Sequence, residues 1–136
     1  MEKGQITIKE NESNGFIVET SLVNDLWLTM HEIADLFNVF VGTVGNSLDA
    51  IFKSGVLKEE DVTRIHLFEL NKKQCQTTLY NLEVLIFVSY RIASFEAQAF
   101  RQFINSTIKE SLQRKEVQEC TKQFRYSCEN QNYRLN

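Results

Sequence analysis

The sequence predicts an α+β domain: a β-hairpin, a short helix and a longer helix joined by a tight turn, a second hairpin, and two C-terminal helices. Three observations predict it. Residues 5–9 alternate polar and apolar, as a strand with one covered face does. Apolar residues recur at helical spacing from Met30 and again from Val44. At 136 residues and 43% apolar content the chain has the length and hydrophobicity for one domain with an ordinary core.

In chain order, residues 5–9 and 16–22 read as a hairpin across the polar, turn-forming run 11–15, whose length leaves the register open. Thr29 is placed to cap a helix, and Glu32, three residues on, completes a capping box. Ile33, Ala34, Leu36 and Phe37 form that helix's apolar face, and Asn38, which tolerates a left-handed backbone, marks its end. After 38–40, Val44, Leu48, Ile51 and Phe52 follow at i, i+4, i+7 and i+8 up to Gly55, so the two helices have the spacing of a helix-turn-helix. Glu59, Glu60 and Asp61 read as the acidic first turn of a short helix or as a solvated loop.

Residues 64–70 and 75–80 read as strands joined through 71–74, and a hairpin directly after a helix-turn-helix is the wing of a winged helix. Its basic tip suits a phosphate, as it also suits any solvated surface. Asn81 is placed to cap the next helix, whose Leu82, Leu85, Ile86 and Val88 belong at the centre of a core. A break near 93–94 precedes a last helix with Phe100, Phe103, Ile104, Ile108 and Leu112 on one stripe, extended more weakly by Val117, Cys120 and Phe124; 130–136 has no periodicity and reads as frayed. The expected organisation is thus a winged helix-turn-helix-like domain over 1–112 and a helical extension with a tail over 113–136. Trp27, Phe37, Leu48, Phe52, Tyr80 and Phe100 are assigned to the core.

Several function classes drop out. Cys75, Cys120 and Cys128 form no C-x2-C pair, and His31 and His66 are the only histidines, so no metal or other cofactor is expected. The opening residues do not read as a signal peptide, which places the expected protein in a cytoplasm with reduced thiols. The longest apolar run, 82–88, is broken by Glu83 and is far shorter than the roughly 20 residues of a membrane span. Gly4, Gly15, Gly42, Gly45 and Gly55 make no phosphate-loop pattern, and no nucleophile sits with a base, so no catalytic residue is assigned and the chain is not read as an enzyme.

Charge is uneven: residues 1–63 carry 4 Lys+Arg against 11 Asp+Glu, and residues 64–136 carry 11 against 7. Attraction to phosphate must come mostly from the second half.

Trp27-Leu28-Thr29 followed by Ile33-Ala34-Asp35-Leu36-Phe37, then Ile51-Phe52 with Gly55 and Leu57, then Tyr80-Asn81-Leu82 through Tyr90-Arg91 to Phe100-Arg101, resemble the RhuM-type virulence proteins of bacteria over residues 1–112. The N-terminal region of that family is similar to phage antirepressor domains of the BRO-N and KilA-N type. The resemblance implies a DNA-binding-like domain. Where the family is often basic or carries histidine this chain has Val41, Ser47 and Asp49, and where the family frequently has a Lys-Arg-like pair it has Phe95 and Glu96.

On the second helix Thr43, Asn46 and Ser47, with Asn38 before it, are the candidates for hydrogen bonds to bases or phosphates, since Asn pairs bidentately with adenine. Lys53 is its cation, cancelled by Asp49. Lys72 and Lys73 are the candidate wing contacts, and Arg91 and Arg101, which fit the resemblance, face either phosphate or a salt-bridge partner that braces the fold, the bracing role falling more to Arg91 because it follows a buried helix. The expected partner is double-stranded DNA, with a homodimer seam along the C-terminal apolar stripe. The alternative is a protein-interaction module that keeps the fold and has lost DNA, for which the acidic first half and apolar Phe40, Val41 and Phe95 argue.

Overall fold

The computed structural model describes residues 3–118. Their order is β1 (Gln5–Glu10), β2 (Phe16–Ser21), a 3-10 turn (Val23–Asp25), α1 (Met30–Phe37), α2 (Val41–Ser54), α3 (Glu59–Val62), β3 (Thr63–Leu70), β4 (Lys73–Tyr80), α4 (Leu82–Ser89) and α5 (Phe95–Gln118). The expected α+β class holds: the strands form two separate antiparallel hairpins, β1–β2 and β3–β4, among five α-helices. No helix among the described residues is long and apolar enough to cross a membrane. The expected extension through Cys120 and Phe124 and the frayed end at 130–136 lie outside the described residues.

Asn11 shapes the first turn. Its side-chain oxygen accepts hydrogen bonds from the Ser13 and Gly15 amides at 3.1 and 2.8 Å, which sets the pairing Ile6↔Thr20 and Ile8↔Val18 that sequence left open. The 3-10 turn after β2 is an element that sequence did not suggest. It packs against Gly4, where a Cβ would collide with the Leu22 carbonyl and the Asp25–Leu26 peptide.

The capping box at α1 forms as expected: the Thr29 hydroxyl accepts from the Glu32 amide at 3.1 Å, and the Glu32 carboxylate accepts from the Thr29 amide at 2.9 Å. Asn38, at φ 54°, ends the helix in the left-handed conformation. Residues 38–40 then carry the chain into α2, which ends at Gly55 with φ 77°.

The second hairpin has a shorter turn than expected. Leu70 pairs with Lys73, so Lys73 and Gln74 belong to β4, and the turn is Asn71-Lys72 alone, at φ 52° and 63°. Two left-handed residues make the turn whose twist matches paired strands, although a lysine there lacks the usual glycine signal. At its base the hairpin is tied to the segment before α1: Leu28 and Tyr80 exchange backbone hydrogen bonds of 2.9 and 2.8 Å.

Asn81 caps α4 through the Val84 amide, and Ser94 accepts from the Ala97 amide at the start of α5. The core joins Leu26, Ile33, Phe37, Val44, Leu48, Ile51, Val62, Val84, Leu85, Val88, Ile92 and Phe100. The rings of Phe37 and Phe100 meet at 5.6 Å, tilted by 58°. Phe37, Leu48, Tyr80 and Phe100 are buried as expected, whereas Trp27 and Phe52 are half-buried. One compact unit runs through Arg101, and a second begins at Gln102 within α5. In the second, Phe103 and Ile104 are half-buried, and Ile108 and Leu112 are exposed.

Candidate nucleic-acid interface

α2 buries Val44, Ser47, Leu48 and Ile51, a stripe of three- and four-residue steps. Its opposite face presents Gly42, Thr43, Asn46, Asp49 and Lys53 to solvent. Ser47 is corrected by this geometry: it lies three residues after Val44 on the buried stripe and is 6% exposed, so it is not a surface contact. Thr43, Asn46 and Lys53 keep the exposure a contact needs, and so does Asn38 ahead of the helix. Asp49 stands four residues before Lys53 on the same face, an arrangement in which the two charges offset each other. Phe40, immediately before α2, is 86% exposed.

Lys72 occupies the tip of the second hairpin and Lys73 the first position of β4, both exposed. A strand rises about 3.4 Å per residue, so Lys73 stands roughly 24 Å from Tyr80 at the base. By alternation and register, Arg64, His66, Phe68 and Leu70 share one face with Lys73, Cys75, Thr77 and Leu79; the stacking of His66 on Phe68 at 6.1 Å fits that assignment. Arg64, which sequence reasoning did not single out, lays its guanidinium 4.3 Å from the centre of the Trp27 ring. The only sequence signal is Trp27 beside Leu28, and it becomes readable once Leu28 is known to pair with Tyr80.

The two arginines separate. Arg91 is exposed just beyond α4. Arg101 turns inward and donates from Nη1 to the backbone carbonyls of Ser89 and, at 2.9 Å, Ile92, satisfying oxygens left open where α4 ends. Arg101 is therefore a brace, and its partners are carbonyls, not the acidic side chain of a salt bridge.

α2 also meets the base of the hairpin. The Phe52 and Tyr80 rings stack at 6.4 Å and 23°. Burial, then the fields of Glu59 and Asp49, hold the Tyr80 phenol above its ordinary pKa, so it is neutral at physiological pH. Among the described residues no group of three or more His, Cys, Asp or Glu side chains is placed to hold a metal. Residues 1–101 carry 9 Lys+Arg against 14 Asp+Glu and are net negative; Lys53, Lys72, Lys73 and Arg91 are among their exposed cations.

No family model, no curated protein and no solved structure matches the chain.

Proposed function

We propose that this chain is a double-stranded-DNA-binding domain of the winged helix-turn-helix kind, with α2 as its recognition helix and β3–β4 as its wing, the class to which the RhuM-type resemblance points. The observation that carries the reading is the α1–turn–α2 unit. A left-handed Asn38 and two further residues turn the chain so that α2 buries one face and leaves Thr43, Asn46 and Lys53 outward. In this reading Asn46 reads an adenine edge and Thr43 a base or phosphate, while Lys53, Lys72, Lys73 and Arg91 neutralise phosphates.

Four cations set the scale. Each phosphate neutralised contributes about −0.9 to the slope of log K against log salt, so the slope is about −3.6, a loss of about 150-fold between roughly 50 and 200 mM salt. Asp49 on the same face lowers the affinity further. Two copies joined through the exposed Ile108 and Leu112 of α5 double the contacts and would read half-sites about 34 Å apart. The test is a fluorescence-anisotropy titration of a labelled duplex of about 30 base pairs over that salt range. Micromolar binding with the stated slope, flattened toward about −0.9 by the triple change Lys53→Ala, Lys72→Ala and Lys73→Ala, supports the reading; no binding at the lower salt overturns it.

A second reading, a protein-interaction module, is favoured by one observation. Apolar side chains stand in solvent where a DNA-binding surface would carry cations: Phe40 ahead of α2, Phe95 at 75% exposure, and Ile65, Leu67 and Leu70 along β3.

A further inference from the structure

Beside the stacked Phe52 and Tyr80 rings lies an open cleft of about 440 Å³, between α2, the start of α3 and the end of β4. Met30, Leu48 and Phe52 supply apolar wall, while Asp49 from α2 and Glu59 from α3 bring two carboxylates to the same cleft. Gly45 lines it as well, beside the Met30 sulfur.

Tyr80 supplies the second observation. It is 8% exposed and lines the cleft. Its hydroxyl makes no hydrogen bond to any described residue, and no side-chain nitrogen or oxygen among the described residues is both sealed from solvent and unbonded. The unbonded hydroxyl therefore reaches solvent, and its residue lines the cleft that Asp49 and Glu59 share. A phenol oxygen that opens onto a cleft is available to accept a hydrogen bond from whatever enters it.

We propose that this cleft is a binding site for an alkylammonium group, its N–H donors shared among Asp49, Glu59 and the Tyr80 hydroxyl and its aliphatic stem laid along Met30, Leu48 and Phe52. An ammonium carries three donors and no acceptor, which matches three oxygen acceptors. The aromatic pair favours a cation further, because ring faces attract positive charge. Lys53, the single cation among the lining residues, leaves the cleft with an excess of one negative charge. A divalent metal is the poorer occupant, because it gains nothing from an apolar wall. The inference rests on the cleft alone and not on the DNA-binding reading.

The site is tested on the full chain, labelled with 15N, by titrating n-pentylammonium chloride and, in parallel, 1-pentanol at matched ionic strength. The expected result is saturable amide shifts at Gly45, Asp49 and Tyr80, with the amine binding about tenfold tighter than the alcohol. The double variant Asp49→Asn, Glu59→Gln lowers the amine affinity about tenfold and leaves the alcohol unchanged, and Tyr80→Phe, which keeps the ring stack, lowers it about threefold. Backbone-blocked lysine in place of pentylammonium distinguishes the source: tighter binding assigns the site to a protein side chain, weaker binding to a free amine. Equal binding of amine and alcohol, or amine shifts spread over the surface and unchanged in the double variant, would overturn the proposal.

Discussion

Ile33, Ala34, Phe37, Val44, Leu48 and Ile51 of α1 and α2 are at most 3% exposed, whereas Ile65, Leu67 and Leu70 of β3 are at least 58% exposed. The helix pair holds its shape by burying side chains and by caps at Thr29, Asn38 and Gly55. The hairpin holds its shape by eight backbone pairings, a two-residue turn and an anchored base where Leu79 and Tyr80 are buried. Its outer half contributes little to the core and leaves its side chains free to meet something else. A region of this kind opens locally at lower cost than a packed helix pair. In the proposed function the helix pair is the rigid platform and the hairpin the adjustable arm.

Substitutions sharpen the contrast, beginning where the effect is largest. Phe37→Ala removes a fully buried ring that packs at a tilt against Phe100 and is expected to cost about 3–5 kcal/mol in a urea titration. Thr29→Ala deletes one half of the capping box and is expected to cost about 1 kcal/mol by the same measurement. Lys72→Gly acts in the opposite direction: a lysine at φ 63° is strained and a glycine is not, so thermal unfolding is expected to show a gain of about 0.5–1 kcal/mol while the hairpin tip loses a cation. Leu67→Thr, at an exposed strand position, is expected to change stability by less than about 0.5 kcal/mol. A loss of several kcal/mol at Leu67 would break the comparison, because it would mean that the outer hairpin is packed after all.

The same contrast governs what the sequence made legible. Caps are local, so Thr29, Glu32, Asn38 and Asn81 announced their helices within a few residues. The turn of the second hairpin is shorter than the sequence suggests because Lys72 takes a left-handed conformation that its chemistry does not advertise. Ser47 looked available because a hydroxyl suggests a contact, but a side chain that small also fits a buried stripe. Arg101 was ambiguous because its acceptors are backbone carbonyls, which no sequence pattern marks. Arg64 over Trp27 depends on the pairing of Leu28 with Tyr80, and the cleft gathers residues from 30 to 80; both exist only once the chain is folded.

Asp49 offers a small but pointed test, since Asp49→Asn removes a negative charge from the outward face of α2 and is expected to tighten duplex binding by about two- to fivefold. The most direct measurement is a titration of 15N-labelled protein with a duplex of about 30 base pairs at roughly 50 mM salt, where phosphate contacts are strong. The account expects saturable amide shifts at Thr43, Asn46, Lys53 and Lys72, with β1–β2 unmoved. Shifts absent throughout, or confined to residues away from α2 and the tip of the second hairpin, would contradict the proposed function.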